Sequence, residues 1–335
     1  MRILIYSPYF YPRIGGVEVI ARGLADKFTQ KGHEVTVVTD TASTQTDEFA
    51  FKVIRNGGIK AYIKAFKSCN VYMQMNVSLR GIYPFLFFRK PFYIYHQNTY
   101  YKNDGSITLN GRLKYLIASF AKCNVCCSGY VAYQIIKNKR VIGNPYNEDI
   151  FHSDIPWQQR EQDIVFLGRL VSDKGCDVLV EALSLLHKQG IKVKLSIIGD
   201  GAEKSNLHTL VEKYQLNSFV KFYGSVSGKN LNDLLNQHKV MVVPSLWKEP
   251  FGIVALEGLA AGCKLIVSED GGLKEAIGEC GVTIPNGNTN AIADAIRKCM
   301  LDTENYGQQN LSKHLKGFTL ESISNKYLAL INELS

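Results

Sequence analysis

The sequence of 335 residues has no apolar run near the roughly 20 residues that a membrane-spanning helix needs. Its longest candidate, residues 81–88, is closed by Arg89 and Lys90. The start of the chain offers only residues 3–6 as an apolar stretch before Ser7, too short for a secretory signal peptide. We therefore expect an unexported cytoplasmic protein.

A disulfide framework and a zinc site are also missing. The eight cysteines are scattered and are expected to be thiols in a reducing cytosol. Cys123 and Cys126 form a C-x-x-C, but no second Cys or His pair follows at the spacing of a zinc site. We interpret this run as a buried strand, because free cysteine is a common small apolar residue in protein cores.

Three ligand-binding signatures are absent. No D-x-D pair, typical of metal-dependent sugar transferases, occurs anywhere, and the loop after the first predicted strand lacks the G-x-G-x-x-G of dinucleotide-binding enzymes. The chain shows no helix-turn-helix, zinc-finger or RNP pattern, so we expect no nucleic-acid partner.

Charge is unevenly distributed along the chain. Residues 1–150 hold 20 Lys and Arg against 9 Asp and Glu, whereas residues 151–335 hold 19 against 21. An anionic membrane leaflet would attract such a basic first half. The aromatic and basic run at 83–92 has the chemistry of an interfacial anchor, with a buried strand and a solvated Arg-Lys turn as the alternative. We favour the interfacial contact and expect peripheral membrane association.

The periodicity of the chain predicts two α/β domains. Apolar residues make up 46% and charged residues 21%, which is typical of a globular protein. Strands alternate with helices of 10–15 residues, which indicates βαβ units and parallel sheets. We expect two Rossmann-like domains facing each other across a cleft, with ligands at the carboxyl ends of the strands.

The predicted elements fall into two groups separated by Asn144 and Pro145. Before them we predict strands at 2–9, 35–39, 51–55, 70–75, 92–96 and 125–127, and helices between Gly15 and Gly32 and at 59–68, 107–122 and 129–137. After them we predict strands at 163–170, 193–199, 220–224, 239–244 and 264–268, and helices at 176–189, 203–215, 229–237, 252–261, 290–301, 304–316 and 320–334.

The most specific segment is 249–258, which follows a predicted strand and opens a helix. Free N–H groups at a helix start bind phosphate, and Gly252 removes the Cβ that would obstruct the approach. Glu257 lies about 7.5 Å further along that helix, where a carboxylate can accept both hydroxyls of a ribose. Glu249 can accept hydroxyls from the group on the far phosphate. An ordinary buried helix with two exposed glutamates is the alternative.

Other strand ends carry residues suited to a diphosphate. Arg169 follows the first strand of the second domain and Lys174 opens the next helix, so the two cations could clamp a diphosphate. Gly199 and Gly201 end the next strand, where glycine lets a ligand touch the backbone. The backbone of Val226 follows a further strand and is suitably placed to read a base edge.

These motifs together resemble the retaining GT-B glycosyltransferases of family four. The matching segments, in the order of the family pattern, are Gly168-Arg169-Leu170, Lys174-Gly175, Gly199-Asp200-Gly201, Phe222-Tyr223-Gly224, the E-x7-E segment from Glu249 to Glu257, and Gly271-Gly272-Leu273-Lys274-Glu275. In the first half, Phe10-Tyr11-Pro12 and Gly15-Gly16-Val17-Glu18 match the opening loop of the family. The final helix is similar to one that crosses back to the first domain.

The resemblance implies a GT-B fold in which residues 1–145 with 318–335 bind the acceptor and residues 146–317 bind a nucleotide sugar. It implies transfer of a hexose with retention of configuration, a UDP-sugar as the expected donor, with GDP as the alternative carrier, and no required metal. Arg169, Lys174, Glu249 and His96 are the implied catalytic residues. The implied donor contacts are Gly16, Gly199, Gly201, Val226, Phe251, Gly252, Ile253, Val254 and Glu257.

Several points stay open. The family often has His-Asp where this chain has His96 followed by Gln97, so a core or surface histidine remains an alternative to a sugar contact. The acceptor is expected to be a saccharide or a lipid-linked molecule of cell-envelope polysaccharide or lipopolysaccharide synthesis. A nucleotide-sugar epimerase of the same fold and a non-catalytic GT-B partner subunit are the rival functions.

Overall fold

The structure is a computed structural model that describes residues 1–13, 15–43, 48–55, 58–101, 105–135, 137–301 and 310–334. It divides into two compact units. The first comprises Met1–Pro145 together with Leu320–Ser335, and the second comprises Tyr146–Thr319. Each unit is built on one parallel sheet with helices on both faces.

The sheet of the first unit has the strand order β3-β2-β1-β4-β5-β6-β7. Its strands are β1 (Arg2–Ser7), β2 (Glu34–Thr39), β3 (Lys52–Arg55), β4 (Val71–Met75), β5 (Phe92–His96), β6 (Cys123–Cys126) and β7 (Lys139–Val141). Its helices are α1 (Gly16–Gln30), α2 (Ile59–Ser68), α3 (Leu79–Ile82), a 3-10 helix at Tyr83–Leu86, α4 (Leu109–Ala118), α5 (Gly129–Tyr133) and, from the end of the chain, α13 (Leu320–Leu334).

The sheet of the second unit has the strand order β10-β9-β8-β11-β12-β13. Its strands are β8 (Gln162–Leu167), β9 (Leu195–Ile198), β10 (Val220–Gly224), β11 (His238–Val243), β12 (Lys264–Ser268) and β13 (Gly281–Ile284). Its helices are α6 (Cys176–Lys188), α7 (Lys204–Lys213), α8 (Gly228–Asn236), α9 (Ile253–Ala260), α10 (Leu273–Ile277), α11 (Thr289–Leu301) and α12 (Leu311–Lys316), with 3-10 helices at Trp157–Gln159 and Ser172–Lys174.

Apolar strand sequences place both sheets inside their units. Every residue of β4, β5 and β6 is buried, as expected where helices cover both faces of a parallel sheet. All strand pairs in both sheets are parallel. The carboxyl ends of the strands in each sheet therefore lie along one edge, which confirms the predicted α/β class with two Rossmann-like domains.

Alternate side chains of β1, β4 and β5 face one layer of the first unit. Leu4, Tyr72 and Phe92 share a core cluster with residues of α2 and α4 and with Phe85. Since all of these join one cluster, α2, residues 79–88 and α4 cover the same face of the sheet.

The last helix, α13, is packed into the first unit. The ring of Tyr327 lies 5.0 Å from that of Tyr95 in β5, and Lys31 forms an ion pair of 2.5 Å with Glu321. A Cβ on Gly23 in α1 would come within 2.6 Å of the Leu320 side chain, so the two helices approach closely at that glycine.

Several predicted elements differ from the structure. The buried-strand alternative for residues 83–92 is wrong over its first half, which forms the 3-10 helix Tyr83–Leu86. There the ring of Phe85 packs 4.6 Å from Phe92 and 4.9 Å from Phe66. The predicted helices 107–122 and 129–137 are too long, because α4 ends at Ala118 and α5 at Tyr133.

Short elements were not predicted. The sequence pattern missed α3, α10, β7 and β13. All three residues of β7 are exposed, and β13 begins with a glycine and is only half-buried, so neither shows the apolar run that predicts a buried strand. The predicted helix 304–316 lies partly outside the described residues, and its described part forms α12.

All eight cysteines are free thiols and all are buried. Cys123 and Cys126 belong to the fully buried strand β6, which confirms that interpretation of the C-x-x-C run. Burial raises the pKa of the Cys126 thiol to about 12 and that of Cys263 to about 11. Such thiols are protonated and unreactive in the folded protein.

Candidate functional site

The candidate site lies at the carboxyl edge of the second sheet, where the strand order reverses. β8 lies between β9 and β11, so the chain leaves β8 towards one side of the sheet and later returns on the other. Open α/β sheets bind ligands at this reversal point. The predicted residues Arg169 and Lys174 follow β8, and Glu249 follows β11.

The two cations predicted to clamp a diphosphate have different surroundings. Arg169 is exposed, and its guanidinium has no ion-pair or hydrogen-bond partner among the described residues. Lys174 ends the 3-10 helix after β8, and its Nζ donates a hydrogen bond to Oε1 of Glu249. The side chains of Lys174 and Glu249 are only 15% and 12% exposed. The structure thus joins two residues that the sequence assigned to phosphate and to sugar, and Glu249 offsets much of the Lys174 charge.

Neighbouring side chains hold the Lys174–Glu249 pair in place. The hydroxyl of Ser245 donates to the same Oε1 of Glu249 at 2.8 Å, and Asn286 donates its amide N–H to the Ser245 carbonyl at 3.0 Å. The Lys174 ammonium also lies 5.6 Å from the centre of the Trp247 ring. Sequence reasoning missed these three supporting residues. Ser245 and Trp247 stand just before the Glu249 segment, but Asn286 lies far from it in the sequence and gives no local signal.

A glycine lets the Lys174 turn approach the end of β11. Gly175 has φ +66°, and a Cβ there would lie 2.1 Å from the carbonyl oxygen of Pro244. In the same contact the N–H groups of Leu246 and Trp247 donate to the Asp173 carbonyl at 2.9 and 3.1 Å. The loops after β8 and β11 are therefore tied together through the backbone.

The start of α9 presents free backbone donors. Gly252 at its N-cap has φ +93°, and no side chain caps the helix. The N–H groups at a helix start lack partners within the helix and carry its positive dipole end. Ile253 and Val254 form this first turn and are half-buried, whereas Phe251 before them is 2% exposed and packs 5.7 Å from Phe318.

Glu257 is a half-buried carboxylate without a compensating charge. Neither a hydrogen-bond donor nor a cation contacts its side chain among the described residues. Burial disfavours the ionised form and raises the pKa of Glu257 to about 7. A carboxylate that lacks a partner within the fold is able to accept hydroxyl groups from a ligand.

The remaining predicted donor contacts in this unit follow β9 and β10. A Cβ on Gly199 would lie 1.9 Å from the Gly168 carbonyl oxygen, and one on Gly201 would lie 2.3 Å from that of Leu170. The space at these glycines is filled by the loop after β8, so packing between loops accounts for them. Val226 is half-buried in the loop after β10.

The glycine pair Gly271-Gly272 supports the backbone of Glu249. Gly272 donates its N–H to the Glu249 carbonyl at 2.7 Å. A Cβ on Gly271 would lie 2.6 Å from that same oxygen. The loop after β12 thereby fixes the backbone that carries the Glu249 side chain.

The predicted residues of the first unit lie at the carboxyl edge of its own sheet. Gly16 is the first residue of α1 and is exposed. His96 ends β5 with no exposed surface. Its Nδ1 lies 2.9 Å from Oη of Tyr100, and its Nε2 lies 2.8 Å from Oδ1 of Asn124.

Both nitrogens of His96 are therefore engaged. The amide N–H groups of Asn124 donate to two carbonyls, so its Oδ1 accepts the Nε2–H of His96 and Nδ1 accepts from Tyr100. Burial lowers the pKa of His96 to about 4, which keeps the ring neutral. With no nitrogen left for a sugar hydroxyl, the core-histidine alternative fits this placement better than the predicted contact.

Gln97, which stands where the resembling family often has Asp, is also enclosed. It is 6% exposed, and its Oε1 accepts from Asn144 Nδ2 at 3.0 Å. Oη of Tyr95 donates to Oδ1 of the same Asn144 at 2.5 Å. The Nε2 of Gln97 is buried without a partner among the described residues.

The described residues show neither a metal-binding cluster nor a membrane-spanning helix. They contain no group of three or more His, Cys, Asp or Glu side chains placed to hold a metal ion. None of their helices has the length and apolar character needed to cross a membrane.

Comparison with known families gives one model match. Residues 147–314 match the family described as glycosyl transferases group 1. An uncharacterized glycosyltransferase of Methanocaldococcus jannaschii is 35% identical over 170 residues, which is 48% of this chain and 43% of that relative. The chain thus spans less than half the length of that protein.

Two further proteins are similar over nearly the whole chain. The gpi3 subunit of phosphatidylinositol N-acetylglucosaminyltransferase from Schizosaccharomyces pombe is 24% identical over 332 residues, covering 88% of this chain and 72% of the relative. The structure of HepE from Anabaena in complex with UDP and glucose superposes with a TM-score of 0.84 at 17% identity, covering 99% of this chain and all of HepE. This likeness confirms the predicted GT-B fold class.

Proposed function

The chain belongs to the glycosyl transferases group 1 family, and we propose that this glycosyltransferase moves a hexose from a nucleoside diphosphate sugar to a saccharide or lipid-linked acceptor. UDP is the proposed carrier nucleotide, and HepE, which is described in complex with UDP and glucose, supports that choice. Retention of anomeric configuration is proposed from the resemblance of the motifs.

One observation carries the proposal. Arg169, the Lys174–Glu249 pair and the start of α9 all belong to the carboxyl edge of one parallel sheet, where the order of the strands reverses. A free guanidinium, an ammonium and uncapped N–H groups are three kinds of donor for phosphate oxygens. A diphosphate matches such a set of donors.

The proposed chemistry is electrostatic stabilisation of the leaving group. The bond between the hexose C1 and the diphosphate oxygen breaks as the acceptor hydroxyl oxygen bonds to C1. Negative charge accumulates on the departing diphosphate, which takes up the proton of that hydroxyl. Arg169 and the α9 start offer positive charge before the reaction begins. Lys174, whose charge Glu249 partly offsets, adds hydrogen-bond donors held in a fixed position, so little reorganisation is needed at the transition state. We assign no protein nucleophile.

Two glutamates would bind opposite ends of the donor. Glu249 accepts hydroxyls of the hexose, and its pairing with Lys174 places that acceptor beside a diphosphate-binding cation. Glu257 lies five residues beyond Gly252 and accepts the ribose hydroxyls, which would supply the donors that its half-buried carboxylate lacks. The backbone of Val226 contacts the base.

We also propose that no metal is required, because Arg169, Lys174 and the helix start supply the positive charge. Turnover should survive an excess of EDTA. Loss of turnover with EDTA and recovery with Mg²⁺ or Mn²⁺ would contradict metal independence while leaving the transferase assignment intact.

The direct test is a panel of nucleotide sugars offered with and without a lipid-linked acceptor. We expect release of nucleoside diphosphate that depends on both substrates. Conversion of the donor sugar without an acceptor would identify an epimerase, and nucleotide binding without any diphosphate release would identify a non-catalytic subunit. NMR of the new linkage would show whether configuration is retained.

The acceptor proposal rests on the chemistry of the first unit. Its basic charge suits a substrate held at an anionic cytoplasmic leaflet, within cell-envelope polysaccharide or lipopolysaccharide synthesis. The Schizosaccharomyces pombe relative, a subunit named for a phosphatidylinositol acceptor, supports a lipid-linked acceptor. We therefore propose peripheral membrane association in the cytoplasm.

A further inference from the structure

Helix α4 exposes an apolar stripe to solvent. Its inner side is packed, since Gly111 and Ala118 are buried. Its outer side carries Leu109, Leu113 and Leu116, which are 84%, 41% and 55% exposed, and Phe120 in the following turn is 73% exposed. These four residues follow each other at intervals of four, three and four, which places them on one helix face. A surface helix normally turns polar residues to that face.

The neighbouring elements also expose apolar side chains. Helix α2, residues 79–88 and α4 with its turn to Phe120 share one core cluster and so form one layer, here named the α2–α4 layer. Seven of the fifteen large apolar side chains that are exposed in the described residues belong to it, whereas the whole second unit has two. The seven are Ile59, Leu79, Phe87, Leu109, Leu113, Leu116 and Phe120.

The charge of this layer has one sign. Residues 58–101 and 105–122 contain no Asp or Glu. They contain nine cations, which are Lys60, Lys64, Lys67, Arg80, Arg89, Lys90, Arg112, Lys114 and Lys122. Among the described residues only Arg80 of these nine forms an ion pair, at 3.8 Å from Asp40 and with its side chain 79% exposed.

We propose that the α2–α4 layer is a docking surface for a bilayer that contains anionic lipid, with the α4 stripe lying in the headgroup region. An apolar helix face flanked by cations with few acidic partners is the surface chemistry of interfacial helices, whose apolar side enters about 5–10 Å into the bilayer. Each nearby Lys or Arg adds about 1 kcal/mol of attraction to anionic lipid. An acidic protein partner would match the cations but would not require the stripe.

The inference deepens the proposed peripheral location, and its test needs no turnover. Full-length protein is floated with vesicles of phosphatidylcholine alone or with about 30% phosphatidylglycerol. Leu109→Glu is compared with Leu301→Glu, a matched change at a leucine of α11 in the second unit that is 76% exposed. Both variants change the net charge equally, so only position differs.

We expect wild type and Leu301→Glu to float with the anionic vesicles and to be released by salt. Leu109→Glu should lower the partition coefficient at least about tenfold, because a charge replaces a leucine that would be buried in lipid. Equal binding of the two variants, or binding that ignores lipid charge, would overturn the proposal. So would a wild-type dimer in sedimentation that Leu109→Glu dissociates, since a second copy would then cover the stripe.

A second variant reports lipid contact directly through the quenching of a new tryptophan, so this test does not depend on a loss of binding. In Leu116→Trp, brominated phosphatidylglycerol should quench the new indole fluorescence, whereas the Leu301→Trp control should show no additional quenching. Absence of quenching at position 116 would place the stripe outside the bilayer. UDP binding by calorimetry is measured in parallel on each variant. Retained UDP binding with lost vesicle binding separates the failure of this surface from any failure of the donor site.

Discussion

The two sheets share the order of six strands, to which the first sheet adds β7, but the residues at their carboxyl edges differ. In the second unit the edge keeps an exposed guanidinium at Arg169 and a carboxylate without a partner at Glu257. In the first unit His96 and Gln97 are closed off by Tyr100, Asn124 and Asn144. The carboxyl edges of two sheets with similar topology therefore carry different chemistry.

The surroundings of a titratable side chain indicate whether it stabilises the fold or remains available to a ligand. His96 is neutral because burial disfavours its charge, and two neutral side chains satisfy both of its nitrogens. Glu257 is also partly desolvated, yet no described neighbour satisfies it. The first arrangement stabilises the fold, and the second leaves binding capacity for a ligand.

Arg169→Ala should produce the largest effect and should act on catalysis alone. We expect kcat/KM to fall about 100- to 1000-fold, as when one preorganised donor to a developing anion is removed. Arg169→Lys should recover part of the loss because it restores charge without the bidentate fork. The unfolding free energy should change by less than about 0.5 kcal/mol, since the side chain is exposed.

Steady-state kinetics and urea unfolding check this prediction together. Arg297→Ala, an arginine of α11 in the same unit, is the control and should leave kcat/KM unchanged. If Arg169→Ala keeps kcat/KM within fivefold of wild type, Arg169 does not stabilise the leaving group. The contrast between the two carboxyl edges would then lose its main support.

Glu257→Gln should change how stability depends on pH. The pKa of Glu257 is about 7 in the folded protein against 4.5 ordinarily. Between these values the native state holds a proton that the unfolded chain has released, so this group lowers stability as pH rises. Replacing it should stabilise the protein by on the order of 3 kcal/mol at about pH 8 and little at about pH 5.

Urea unfolding of wild type and Glu257→Gln at both pH values gives the difference directly. Exposed Glu279→Gln is the matched control and should show no such trend. Parallel pH curves for wild type and Glu257→Gln would mean that Glu257 is compensated after all. UDP affinity of Glu257→Gln should also fall, because the amide supplies fewer acceptor sites for ribose hydroxyls.

His96→Ala should affect stability more than catalysis. It leaves the Asn124 oxygen without its donor and opens a cavity beside Tyr100, so we expect a loss of about 2–3 kcal/mol of unfolding free energy. Turnover per folded molecule should stay within about tenfold of wild type. His152→Ala, at a histidine with a 56% exposed side chain, is the control for unfolding.

A His96→Ala protein that is stable but has lost turnover would contradict the structural role of His96. The histidine would then contact substrate despite its enclosure, as the family resemblance implies.

Gln97→Met should have the smallest effect. The change removes the bond from Asn144 but also removes a buried donor that lacks a partner. These terms nearly cancel, so the unfolding free energy should change by less than about 1 kcal/mol. Asn144→Ala, which orphans both Tyr95 and Gln97, should destabilise by more in the same thermal or urea measurement.

Much of the fold could be predicted because parallel strands buried on both faces are apolar throughout. Helix 59–68 was predicted with the bounds of α2. The edge strand β7 escaped prediction because Lys139, Arg140 and Val141 are all exposed. The buried-strand alternative for residues 83–88 was wrong because a 3-10 helix that packs Phe85 against the core has the same aromatic composition as a strand.

The sequence locates the residues of the candidate site, but it does not show which of their side chains contact each other. Motif order placed Arg169, Lys174 and Glu249 at strand ends, yet nothing in their spacing shows that Lys174 and Glu249 pair with each other. The enclosure of His96 depends on Asn124, which is 28 residues away. Such contacts arise from tertiary packing, which a local pattern does not encode.

Buried cysteines in both units can report the local opening of each unit. Cys69, Cys123, Cys126 and Cys127 belong to the first unit, and Cys176, Cys263, Cys280 and Cys299 to the second. A maleimide pulse can label each sulfur only when its surroundings open. Peptide mass spectrometry would then give the labelling rates of the two units separately. Bound nucleotide should slow the labelling of one set of four cysteines or of both sets.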